Sequence, residues 1–160
     1  MRDDEFERLY AAEAPGLFSF LAYRTGDRAL AEDLLADAFE RALRARRGFD
    51  RRRGSQKTWL YAIALNCLRD HARRVAAETR AFERAEVPAM EADPLVAVEH
   101  RDQLARALAT LSAEEREAIS LRFGADLTVP EIAKVLGEPL TTVEGRVYRA
   151  LRKLKSELSQ

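Results

Sequence analysis

Two dense runs of cations stand out in the sequence. From Arg41 to Lys57 stand eight basic residues (Arg41, Arg44, Arg46, Arg47, Arg51, Arg52, Arg53, Lys57) and one acid, Asp50. From Gly145 to Ser156 stand five (Arg146, Arg149, Arg152, Lys153, Lys155) and no acid. Guanidinium and ammonium groups at this density suit a polyanion held through its phosphates. Over the whole chain 27 basic residues balance 27 acidic ones. Net charge is therefore silent about nucleic acid, and only the distribution speaks for it.

Other chemistries lack their residues. No carboxylates stand at metal-ligand spacing, no glycine loop could cradle a phosphate, and no Ser/His/Asp set is present. The sequence thus predicts no enzyme, no metal and no cofactor. A single cysteine, Cys67, excludes an internal disulfide, and with only His71 and His100 a Cys/His zinc site is not expected. Cys67 and His71 lie four apart on a predicted helix and read as a core thiol and a helix-face imidazole. The acidic start, Met1-Arg2-Asp3-Asp4-Glu5, lacks the order of a secretion signal, and no apolar run is long enough to cross a bilayer. The expected location is the cytoplasm, without membrane insertion.

The cations are expected on helices and the turns between them. At 160 residues, the chain suffices for one ordinary domain or two small ones. Hydrophobic content of 47% and charged content of 34% fit a soluble fold. No stretch alternates like a half-buried strand. Asp4 to Ala14 reads as a first helix, and Pro15 suits the first turn of a second that stops at Thr25-Gly26. Asp27 can cap a third running to about Arg47. Gly48 to Ser55 is a loop, and a helix follows from Gln56 to about Arg74. Val75 to Val98 holds five acids, two arginines, Pro88 and Pro94. It reads as a tether with scope for helix at its start. Beyond it, Leu104, Ala105, Leu108 and Leu111 recur at helical spacing. The expected fold is all-α: a helical bundle over 1–74, a flexible linker over 75–98 and a helix-turn-helix domain over 99–160.

Three hydroxyl–glutamate pairs mark helix starts in the last domain: Ser112 with Glu115, Thr128 with Glu131, and Thr141 with Glu144. They predict helices over Ala113–Phe123, Val129–Leu136 and Thr142–Leu158. A short helix, a turn of Gly137-Glu138-Pro139-Leu140 and a longer helix make the helix-turn-helix pattern. At about 100° per residue, Val143, Val147, Leu151, Leu154 and Leu158 form the expected core stripe. Thr142, Gly145, Arg146, Arg149 and Lys153 gather opposite it, where a major groove could receive them.

The helix after the arginine-rich loop also has two faces. Leu60, Ile63, Ala64, Cys67 and Leu68 share one. Asn66, Arg69 and Arg73 share the other, with Asp70 at its margin. Such a face beside a basic loop could hold a single strand, with Trp59 or Tyr61 offering a ring, although Trp59 reads first as a packing residue. In the helix before the loop, Asp33, Asp37 and Glu40 line one side. DNA would repel that row, so it faces water or a basic protein surface.

These residues resemble a known family. Asp33-Leu34-Leu35-Ala36-Asp37-Ala38-Phe39, the basic loop and Thr58-Trp59-Leu60-Tyr61-Ala62-Ile63-Ala64-Leu65-Asn66 look like region 2 of the extracytoplasmic-function sigma factors. Leu111-Ser112 through Leu154 is similar to their region 4. The resemblance implies that Asp33, Asp37 and Glu40 dock on the clamp helices of the largest subunit of core RNA polymerase. It implies that Arg52, Arg53, Ser55 and Lys57, with Asn66, Arg69, Asp70 and Arg73, hold the opened minus-10 strand. It gives Thr142, Gly145, Arg146, Arg149 and Lys153 the minus-35 duplex. Promoter DNA and core polymerase are then the partners, and many members are held inactive by an anti-sigma factor. Three positions depart from the family pattern. Ala36 stands where a glutamine is common, and Glu144-Gly145 stands where basic and hydroxyl residues are. The competing reading is a stand-alone helix-turn-helix regulator, which would bind duplex DNA without polymerase.

Overall fold

Pro15 does not break the first helix. In the computed structural model, which describes the backbone of residues 1–81 and 98–159, α1 runs unbroken from Asp3 to Thr25 with Pro15 inside it. Pro15 and Ala11, whose carbonyl loses its partner, are exposed, so water can serve that carbonyl. Leu9 before the proline and Leu17, Phe20 and Leu21 after it are all buried. Packing on both sides of Pro15 therefore holds one rod where the sequence predicts two. Gly26 ends it at φ 65°, where its N–H donates to Ala22 O at 2.9 Å.

The next helix, α2 (Arg28–Ala45), starts as expected: the Asp27 carboxylate accepts from the Leu30 amide at 3.1 Å. Its buried line is Ala31, Leu34, Ala38, Phe39 and Ala42. Three alanines let its neighbours approach closely, and Phe39 takes the edges of Phe6 and Tyr10 at 6.3 and 4.7 Å. Short 3-10 turns at Arg46–Gly48 and Arg51–Arg53 shape the loop expected there. The following helix, α3, runs from Gln56 to Ala81, seven residues past the expected end at Arg74. Leu60, Tyr61, Ala64, Leu65 and Cys67 are buried apolar residues of this helix, while Ile63 and Leu68 are half-buried. The seam thus includes Tyr61 and Leu65, beside the expected Leu60, Ala64 and Cys67. Helices α1, α2 and α3 pack on one another within the unit Met1–Met90.

The second unit spans Glu91–Gln160. Its helices are α4 (Val98–Ala109), α5 (Ala113–Ile119), α6 (Val129–Leu136) and α7 (Leu140–Leu158). Among the described side chains of α4 the buried one is Ala107, followed by Leu111 just beyond the helix, while Leu104 and Ala105 are exposed, contrary to the expected stripe. Two of the three capping boxes form, at Ser112/Glu115 and Thr128/Glu131. The third does not. Pro139, with its φ of −59°, takes the cap position, and its carbonyl accepts from Thr142 and Val143. Thr141 therefore lies inside the first turn of α7, and Glu144 has no capping role. The expected helix to Phe123 ends its α-helical part at Ile119 and continues as a π-type turn over Ser120–Gly124. The core line of α7 is Val143, Val147 and Ala150, with Leu154 half-buried. Leu151 and Leu158 are exposed, because the buried seam is narrower than the apolar stripe. Every element among the described residues is helical, and none is long and apolar enough to cross a membrane.

Candidate nucleic-acid interface

The basic loop is held from below by acids that local spacing could not show. Glu5, at the start of α1, meets Arg51 Nη2 at 2.9 Å, and Asp3 meets Arg46 Nε at 3.0 Å. The amino terminus of Met1 donates to Arg46 O at 3.1 Å. Glu5 also accepts from the Arg2 amide, and that bond, aided by Arg2 and Arg51, holds its carboxyl below the ordinary range. Within the loop, Asp50 accepts from the Arg52 amide and from Arg52 Nε at 3.0 and 3.3 Å. Gly54 sits at φ 155°, a conformation that side chains strain to adopt. Phe49, Arg51, Gly54, Ser55 and Gln56 line an open groove of about 370 Å³. Phe49 lies beside Trp59 with centroids 5.3 Å apart, so Trp59 is a packing residue.

The predicted minus-10 residues divide. Arg52 and Arg53 are exposed on the loop. The Ser55 hydroxyl accepts from the Thr58 amide at 3.1 Å, so its first task is to cap α3. Lys57 lies over the Tyr61 ring at 5.9 Å. Tyr61 itself is buried against Phe20 and cannot offer a ring to a base, and burial pushes its phenol up to about 12. Further along α3, Asn66 and Arg73 are exposed and Arg69 is half-buried. Asp70 pairs with Arg41 of α2 at 2.9 Å and with Arg73 at 3.7 Å. The Arg41 hydrogen bond draws its carboxyl below the usual range. Both side chains are over 40% exposed, so the pair orients side chains more than it stabilises the fold. Arg41 and Arg46, both in the first cationic run, are thus already partnered by acids of the same unit.

The acid row of α2 is on the surface. Asp33 and Glu40 are exposed and Asp37 is half-buried, with Glu40 paired to Arg44 one turn on. Exposed Leu43 and Tyr10 add apolar area to this unit's surface.

In the second unit, Thr142 and Arg149 are exposed, and Gly145 and Arg146 are half-buried. Arg146 is not a free reader. Its guanidinium pairs with Glu138 in the turn, its side chain is 13% exposed, and that hydrogen bond raises its affinity for the proton. A Cβ on Gly145 would stand 3.1 Å from Arg149 Nη1, so the Arg149 tip lies over the space that glycine leaves. Lys153 Nζ donates to both Glu115 oxygens at 3.1 and 2.9 Å. Tyr148, with Arg152 over its ring at 5.7 Å, is 63% exposed on the same helix. Tyr148, Phe49 and Gln56 are additions to the surfaces expected from the sequence. An aromatic on the outside of a basic helix was the available sign for Tyr148. Among the described residues no His, Cys, Asp and Glu gather as metal ligands would.

A cationic loop and helix face in one helical unit, and a capped helix-turn-helix in another, define a two-part DNA-binding protein of helical class. The family model for Sigma-70 region 2 matches residues 9–78, and that for Sigma-70, region 4 matches residues 101–154. The sigma factor BldN of Streptomyces coelicolor is 32% identical over 94% of the chain, which spans 59% of BldN's own length. CarQ of Myxococcus xanthus is 33% identical over 98% of the chain and 91% of its own. The solved structure of the sigma factor RpoE with the anti-sigma factor NepR from Bartonella quintana is similar at a TM-score of 0.80 and 25% identity, covering 98% of both chains. The chain belongs to the extracytoplasmic-function sigma factors of the sigma-70 family. It is a promoter-specific transcription initiation factor, and the stand-alone regulator is not favoured.

Proposed function

We propose that residues 1–74 grip core polymerase and the opened minus-10 strand, while residues 99–160 read the minus-35 element as duplex. The observation that carries this reading is the separation of two exposed cationic surfaces into two units, one a glycine-shaped loop, the other a helix-turn-helix. The groove beside Phe49 is wide enough for an unstacked base, and Arg51, held by Glu5, stands at its wall. Capture of that base offsets part of the cost of melting. Asp33, Asp37 and Glu40 form the contact with the clamp helices, where basic protein suits an acidic helix better than DNA does. Arg149 meets the minus-35 element, Lys153 stands beside it on the same helix bound to Glu115, and Arg146 contributes through the turn that it braces. Neither unit alone binds a promoter strongly; joined on one polymerase, each raises the effective concentration of the other.

The protein acts without catalysis of its own and works in the cytoplasm, where polymerase and chromosome are. An anti-sigma factor, such as accompanies RpoE in the solved complex, is the partner that would hold it inactive. Run-off transcription with core polymerase and a promoter library tests the reading. Transcripts from a restricted set of templates, only when the protein is added, are expected. Starts that are no more selective with it than without it would refute the proposal.

A further inference from the structure

Glu115 belongs to α5, yet its carboxylate is the partner of two cations on α7. Lys153 Nζ donates to both of its oxygens, and Arg149 Nε stands 4.0 Å away. The Glu115 side chain is 8% exposed, while those of Lys153 and Arg149 are 44% and 58% exposed. The carboxylate cannot swing aside, because it also accepts from the Ser112 amide at 3.2 Å and closes the cap of α5.

We infer that Glu115 is a specificity-determining countercharge for the helix-turn-helix, holding Lys153 away from the phosphate backbone and fixing where Arg149 can reach. The inference rests on α7 being the helix that reads duplex DNA. Sequence-independent affinity comes from cations that displace counterions at phosphates. A lysine already bonded to a buried carboxylate gains little by moving to a phosphate. Its contribution to non-specific binding falls, whereas contacts to base edges are untouched. The same group draws Arg149 toward the side of α7 that faces α5. Selectivity therefore rises because attraction to any DNA is reduced.

The test is Glu115→Gln in the full chain. Glutamine can serve in a capping box, so the cap persists while the charge is lost. The probe is a short duplex of mixed sequence, with binding followed by fluorescence anisotropy over a series of salt concentrations. The slope of log affinity against log salt should steepen by about 0.9, the value of one added phosphate contact, with several-fold tighter binding at low salt. Glu115→Asp keeps the charge and should stay nearer the parent slope. Adding Lys153→Met to the glutamine variant should bring the slope back toward the parent's. A folded glutamine variant with the parent's slope would overturn the inference. If that variant does not fold, Lys153→Met in the parent decides: a drop well under one contact's worth supports the countercharge, and a full contact's worth refutes it. If the free parent binds no duplex, the same salt series is read on the holoenzyme: equal slopes for parent and Glu115→Gln overturn the inference, and a slope that Arg149→Ala also leaves unchanged overturns the reading of α7.

Discussion

Arg146 pairs with Glu138 across the turn that joins the two helices of the helix-turn-helix. The arginine side chain is 13% exposed and the glutamate's 32%, so the pair is mostly out of water. Glu138→Ala leaves that guanidinium without its carboxylate in a half-buried site. It should destabilise the second unit by about 1–3 kcal/mol. Thermal unfolding checks this, and an unchanged midpoint would show that the turn stands without the pair.

Gly145 lies within α7, where glycine is a poor helix former. Gly145→Ala should stabilise the helix by up to about 1 kcal/mol. The new Cβ would stand 3.1 Å from the tip of Arg149, which is flexible enough to yield by a few tenths of an ångström. The expected result is a higher unfolding midpoint together with a changed preference among duplex sequences. A lowered midpoint would mean that Arg149 cannot move.

Pro15 deprives α1 of one backbone hydrogen bond in mid-helix. Pro15→Ala supplies the missing N–H on an exposed face. A proline in a helix interior costs roughly 3 kcal/mol, so a gain of about 1–3 kcal/mol is expected in thermal unfolding. Two separate helices meeting at Pro15 would show no such gain.

Tyr61 couples stability to alkaline pH. Burial raises its phenol from 10.0 to about 12 in the folded chain. Between those values the unfolded chain releases the proton and the folded one keeps it. Stability contributed by the neutral phenol is complete below pH 10 and is lost as pH rises toward about 12. Denaturant unfolding at pH 8 and pH 11 should show a smaller loss for Tyr61→Phe than for the parent. Equal losses would place the titration elsewhere.

What local pattern could show, it showed well. The caps at Asp27, Ser112 and Thr128 each need only a side chain three residues from an amide, and all three form. The middle helix, Val129–Leu136, has the expected bounds. The failures each have a competing cause. Tertiary packing of Leu9, Leu17 and Leu21 carried α1 through Pro15. Pro139 began α7 before Thr141 could cap it. Leu151 and Leu158 lie outside the buried seam, because a small unit has too few partners to cover a whole stripe. The acids that partner the cations were the least legible. Glu5 is 46 residues from Arg51, and Glu115 is 38 from Lys153. Only the folded chain brings them together, and with them a charge census by segment overstated how much free positive charge each patch carries.

The acidic row on α2 makes a sharper demand. Asp37→Arg reverses charge on a half-buried residue between exposed Asp33 and Glu40. On the proposed contact it should abolish capture by core polymerase while leaving the helical content unchanged by circular dichroism. Capture equal to the parent's would remove this row from the interface.

On the proposed function, two cationic surfaces, each in its own unit, engage one stretch of DNA at the same time. Footprinting of the reconstituted holoenzyme on a promoter recovered from the library tests it directly, with permanganate added to mark unpaired thymines. Two protected segments are expected, with reactive thymines confined to the one nearer the start site. A single protected segment, or thymines that stay paired throughout, would contradict it.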